Sequence, residues 1–184
     1  MAIIFEMWAE CGTEQDCLAL VKHFNGVQCT LLSGLTISWQ AAVANWLPTG
    51  MTVWAPELSR SGVRTLQDAV NTTEVGLHWY HHLKTGPAFR FARVAWEAEN
   101  IPLSDLKDYV APMMPGECRF EVKCVLDESL YEELGSPQFC FPFRDGYRWT
   151  RYWGEQYMPL GSNDQAELNQ LERSLFPEHF RKRD

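Results

Sequence analysis

The 184-residue sequence predicts an α+β fold: a mostly antiparallel sheet with helices packed on it, and a ferredoxin-like split β-α-β order in the N-terminal half. Three observations lead there. Hydrophobic residues make up 46% of the chain and charged residues 22%, enough apolar surface for a core and outside the disordered class. Residues 3–98 switch between strand-like and helix-like apolar periods in the order strand, helix, strand, strand, helix, strand. Further along, Asp145-Gly146 stands between two aromatic runs, a strong short-range hairpin signal.

The elements follow in order. Residues 3–9 are an apolar, β-rich run. Thr13 and Asp16 resemble a capping box; Cys17, Leu20, Val21 and Phe24 then recur at helical spacing, and Asn25-Gly26 supplies the stop. Residues 27–32 read as a second strand and 51–55 as a third. Residues 36–46 fit either state, with Ile37 and Trp39 alternating like a strand and 41–46 resembling a helical turn. A helix is expected over 59–70, then a second capping box at 71–74 and a second helix to Thr85, stopped by Gly86-Pro87. Residues 88–98 form the fourth strand; the change of parity between Phe91 and Val94 predicts either a bulge near Ala92-Arg93 or burial of both faces.

After a short helix at 102–110 and a proline-rich loop at 112–116 comes the firmest alternation in the chain. Phe120, Val122, Cys124 and Leu126 share one face, and Arg119, Glu121 and Lys123 the other. Asp127 can cap a short acidic helix closed by Gly135. The Asp145-Gly146 hairpin follows, then an amphipathic helix over 163–176 and the tail Arg181-Lys182-Arg183. The chain divides into a ferredoxin-like βαββαβ unit (1–111) and an α+β subdomain with the hairpin and terminal helix (112–184), or runs through as one domain.

Composition narrows the function classes. No run approaches the roughly 20 apolar residues of a membrane span, and the N-terminus lacks the basic region of a signal peptide. A cytoplasmic location is expected. Six cysteines without a C-x-x-C pair read as reduced, structural thiols, Cys11 among them despite its place at the start of a helix. The net charge is −8, with 5 basic against 7 acidic side chains in the first 92 residues and 11 against 17 in the rest. With no basic half, duplex nucleic acid is a poor partner. No phosphate-binding loop, dinucleotide fingerprint or nucleophile elbow occurs, so no cofactor is expected and no catalytic motif is complete.

Two constellations remain. On a helical projection Trp79, Leu83, Gly76 and Tyr80 share the core face, while His78, His81 and His82 lie together on the flank beside it. His78 and His82 have the i, i+4 spacing that lets two imidazoles reach one metal ion, but Trp79 stands where a metalloprotease helix carries its glutamate. The stronger lead is the hairpin. A two-residue turn pairs Arg144 with Tyr147, Pro142 with Trp149, Cys140 with Arg151 and Gln138 with Trp153 on one face. The other face carries Phe143, Phe141 and Phe139. If the phenylalanine face is the core face, Arg144, Tyr147, Trp149, Arg151 and Trp153 form an exposed aromatic and arginine surface. Such a surface suits a protein partner or a second copy of the chain, and less directly single-stranded nucleic acid. The leading expectation is a non-catalytic interaction protein such as an adaptor, inhibitor or homodimer. The alternatives are a small metal-binding or hydrolytic enzyme built on the histidines and a single-strand nucleic-acid binder.

Overall fold

The computed structural model describes residues 4–58, 62–114, 117–120 and 122–157. Its first strand, β1 (Phe5–Glu10), is buried at all six positions, which requires cover on both faces. The chain continues through α1 (Glu14–Phe24), β2 (Gln28–Thr30), β3 (Thr36–Ser38), β4 (Gln40–Ala44), β5 (Leu47–Trp54), α2 (Leu66–Leu83) and β6 (Phe91–Trp96). Two 3₁₀ segments, Ala98–Asn100 and Leu103–Tyr109, lead into β7 (Val110–Met114), β8 (Glu117–Phe120), β9 (Cys124–Asp127), α3 (Glu128–Glu133), β10 (Phe141–Arg144) and β11 (Tyr147–Trp149).

Seven of these strands form one sheet in the order β10-β11-β9-β6-β1-β5-β4, every neighbouring pair antiparallel. The fold is therefore α+β with a mostly antiparallel sheet. One face carries α1 and α2 over a core that includes Phe5, Met7, Phe24, Val53, Trp79 and Val94. On the opposite face Trp8, Phe91, Cys124 and Leu126 pack with Leu106 of the second 3₁₀ segment and Leu130 of α3. Alternate residues of β1 feed the two cores, so neither side of the strand faces solvent.

Two glutamates on β1 are buried on the Trp8 side, and each is hydrogen-bonded. Glu10 accepts the indole N–H of Trp8 (3.0 Å) and the backbone N–H of Leu103 (2.7 Å). Glu6 accepts the Thr52 hydroxyl (2.7 Å) and the N–H of Glu99 (3.3 Å). Between them they tie the 97–103 crossing to the sheet. Burial still raises the Glu6 carboxyl above its usual range, against the lowering effect of its Thr52 bond.

Several sequence expectations are corrected. The ferredoxin-like order does not follow as assigned: Gln28–Thr30 leaves the main sheet and pairs with Thr36–Ser38, and Gln40–Ala44 takes the place beside β5. Residues 28 and 30 are exposed, whereas Ala41, Ala42 and Val43 offer small, half-buried side chains to the sheet. The sheet is also larger than a four-stranded one, because β9, β11 and β10 continue it past β6. The two helices expected over 59–85 are one, capped at Thr65, whose hydroxyl accepts the N–H of Asp68 while Asp68 accepts the N–H of Thr65. Thr72, expected inside a second cap, instead donates its hydroxyl to the Asp68 carbonyl within the continuous helix. Strand β6 pairs with β1 without a bulge from Phe91 to Trp96, and burial of both faces explains its change of parity. The single strand expected over 119–126 is two: β8 pairs with β7, made partly from the expected loop, and β9 enters the main sheet. Thr13, Asp127 and Gly146 do cap and turn the chain where expected. The helix at 163–176 and the tail at 181–183 lie outside the described residues.

Candidate functional site

The hairpin resolves its two aromatic faces with one extra residue. Phe141 pairs with Trp149 and Pro142 with Arg148, but Arg144 pairs with Tyr147, so Phe143 is a bulge. Of the cross-strand pairs expected from an unbulged turn, Arg144/Tyr147 alone remains within the paired strands. Because strand side chains alternate with period two, the extra residue re-aims everything beyond it. Phe143 is buried with its ring edge-on to Trp149 at 5.6 Å, and Trp149 reaches Tyr80 of α2 at 5.5 Å. Tyr147 packs on Phe89 at 4.5 Å, and its hydroxyl accepts the Phe89 N–H. Arg148, on the other face, forms a two-pronged ion pair with Glu128 and lies 5.4 Å from the Tyr131 ring.

The five expected surface residues therefore separate. Arg144 clamps the end of α2, donating to the carbonyls of Leu83, Lys84, Gly86 and Pro87 while it lies 4.2 Å over the Tyr147 ring. Tyr147 and Trp149 are half-buried against the helix-side core. Arg151 and Trp153 face outward. Arg151 stacks on Phe141 at 4.3 Å, and Trp153 is 72% exposed. Phe139 (62%) and Phe141 (39%), which were assigned to the core face, are exposed as well.

The three helix histidines diverge. His82 turns to His23 at the end of α1: the rings stack at 4.0 Å, and each Nε2 lies within 3.1 Å of the other residue's carbonyl. A carbonyl can only accept, so both Nε2 atoms carry hydrogens, and the pair fastens the two helix ends together. Burial lowers the His82 pKa below 6.5. His78 faces Glu74 at 3.7 Å, and His81 is exposed. Among the described residues no three His, Cys, Asp or Glu side chains are grouped to hold a metal ion. Burial, with Cys17, Asp16 and Glu10 nearby, pushes the Cys11 thiol far up, which suppresses its nucleophilic thiolate.

The site that sequence reasoning missed is a pocket of about 380 Å³ beside the C-terminal half of β6, lined by Arg93, Tyr109, Lys123, Tyr152 and Glu155 among others. Tyr152 donates its hydroxyl to Glu155 at 2.9 Å. Burial raises the Glu155 carboxyl, which Tyr152, Lys123 and Arg93 lower in part, and burial pulls the Arg93 guanidinium down. These residues are scattered over 60 positions of sequence. The one legible hint is Arg93, the single charge in a strand otherwise made of Phe, Ala, Val and Trp.

No family model, curated protein or solved structure matches this chain. Among the described residues no helix is long and apolar enough to cross a membrane.

Proposed function

We propose that this chain is a protein-interaction module whose contact surface is the outer end of the hairpin: Phe139, Phe141, Arg151 and Trp153. The observation that carries the reading is the exposure of Phe139, Phe141 and Trp153, in or flanking the hairpin, with Arg151 stacked on Phe141. Aromatic and arginine side chains dominate the energetics of protein interfaces, and large rings are seldom left in water without a use. Strand β10 is an edge of the sheet, but Pro142 in its middle has no N–H to offer a further strand. The partner accordingly docks on side chains rather than by extending the sheet. The reading places the module in the cytoplasm, in keeping with the Cys11 and Cys17 thiols, which touch without forming a disulfide. It also takes β6-β1-β5-β4 with α1 and α2 as a ferredoxin-like unit in which residues 40–44 serve as the second strand.

A photo-crosslinking residue placed at Phe139, with Leu32 (93% exposed) as the control position, tests this in cells. The expected result is one discrete adduct at 139, lost in a Trp153→Ser background and absent at position 32. An adduct with twice the chain mass identifies the partner as a second copy. Equal labelling at the two positions, or an adduct indifferent to Trp153→Ser, overturns the proposal. Adducts to nucleic acid would do the same.

A further inference from the structure

The sheet opens along β6. This strand pairs with β9 only from Phe91 to Arg93, so its edge from Val94 to Trp96 has no β9 partner. Two hydroxyls satisfy the backbone groups at the rim of that gap. Tyr80 accepts the Val94 N–H at 2.9 Å and donates toward the Lys123 carbonyl at 3.4 Å. Thr150 accepts the Cys124 N–H at 2.7 Å and donates to the Val122 carbonyl at 2.6 Å. Both hydroxyls are themselves buried, so the opening is a built feature with its hydrogen bonds met rather than a frayed strand end.

Arg93 projects from the last paired position into this opening. Its Nη1 is out of contact with solvent, yet it has no hydrogen-bond partner and Arg93 forms no ion pair among the described residues. A desolvated guanidinium edge without an acceptor is costly, and folded proteins rarely retain one without a use. The carboxylate that lines the pocket, Glu155, is already engaged by the Tyr152 hydroxyl. Lys123 adds a second cation at the exposed side, so the lining carries an excess of positive charge in a chain that is acidic as a whole. The volume of about 380 Å³ falls within the range of roughly 300–1,000 Å³ typical of small-molecule sites.

We infer that this pocket binds a small molecule through an oxyanion, a carboxylate or a phosphate, seated on Arg93 with Lys123 beside it. A guanidinium offers two parallel N–H groups to such an anion, and Arg93 lines the pocket with its hydrogen-bonding capacity not filled by the protein. Glu155, held by Tyr152, accepts a hydroxyl or amine from the other end of the ligand, while Val122 and Ile101 cover its apolar part. This site is separate from the hairpin surface and stands whether or not that surface binds a partner.

The test uses the full chain, labelled for amide NMR and titrated at constant ionic strength with inorganic phosphate, with acetate, and with chloride as the reference. The expected result is saturable shifts at Val94, Ala95 and Lys123 with phosphate, acetate or both, and none with chloride; the stronger probe names the anion class. Arg93→Met should weaken that binding at least tenfold without lowering the melting temperature, since it removes an unpaired buried charge. Arg93→Lys, which keeps the charge and loses the fork, should weaken it less, and it serves as the second variant if the methionine protein does not fold. Absence of saturable shifts with both oxyanions, or undiminished affinity in the Arg93 variants, would overturn the proposal.

Discussion

Replacing Arg144 with methionine should destabilise the protein by about 3 kcal/mol, because this arginine closes the end of α2 instead of facing a partner. The structure supplies the terms. Nη1 donates at 2.6 Å to the Gly86 carbonyl and at 3.1 and 3.3 Å to those of Leu83 and Lys84, and Nη2 donates at 3.0 Å to Pro87. Hydrogen bonds from a charged donor contribute about 1.5–3 kcal/mol each. Two are short here and two are long, and the side chain is only half-buried, so the set is counted as one strong bond and one weak one. Stacking over Tyr147 at 4.2 Å adds about 0.5–1 kcal/mol, and the interaction of the cation with the helix C-terminus adds about 0.3–1 kcal/mol. Methionine retains the aliphatic stem and its packing but none of these. Urea unfolding at neutral pH, with an unchanged m value, measures the difference, and Arg144→Lys should recover about 1 kcal/mol through a single bond. A loss below about 1 kcal/mol in the methionine variant would refute the clamp and return Arg144 to the list of surface residues.

Three further outcomes follow from the packing. His82 has a folded pKa below its unfolded 6.5, so the unfolded chain takes up a proton first as the pH falls. The contribution of the neutral His82 ring is then complete above pH 6.5 and declines below it. Glu6 and Glu155, raised by burial, act in the opposite sense, so the comparison is with His82→Phe, which keeps both and should show a flatter fall in urea midpoint between pH 7.5 and 5.5; equal slopes would refute the assignment. Gly76→Ala improves helix propensity by about 1 kcal/mol, but its Cβ would meet the Tyr152 ring at 2.9 Å. A net loss of about 1–2 kcal/mol is expected in thermal unfolding, and a gain would show that Tyr152 is not packed there. Thr150→Val keeps the shape and removes the hydroxyl shared by Cys124 and Val122, with an expected cost of about 2 kcal/mol by denaturant titration; a neutral result would mean that rim is not closed by this side chain.

The parts legible in the sequence are those whose physics is local. Thr13 reaches the Asp16 N–H, Asp127 reaches the Leu130 N–H, and Gly146 supplies the positive φ of the hairpin turn, each within about four residues. Composition and periodicity likewise sufficed for an α+β chain with a largely antiparallel sheet. Tertiary structure decided which segment filled each place. Residues 40–44, not 27–32, joined β5, because burial against the whole sheet outweighs the β-propensity of a short strand with exposed ends. One bulged residue, Phe143, turned the expected outer face of the hairpin toward α2 and left Phe139 and Phe141 outside, since a register shift of one exchanges the faces of a strand. His82 found His23 across 59 residues, and the pocket gathers side chains from Arg93 to Glu155. No pattern of neighbours encodes such meetings, because the energy that favours them exists only once distant segments have been brought together and water has been removed from between them.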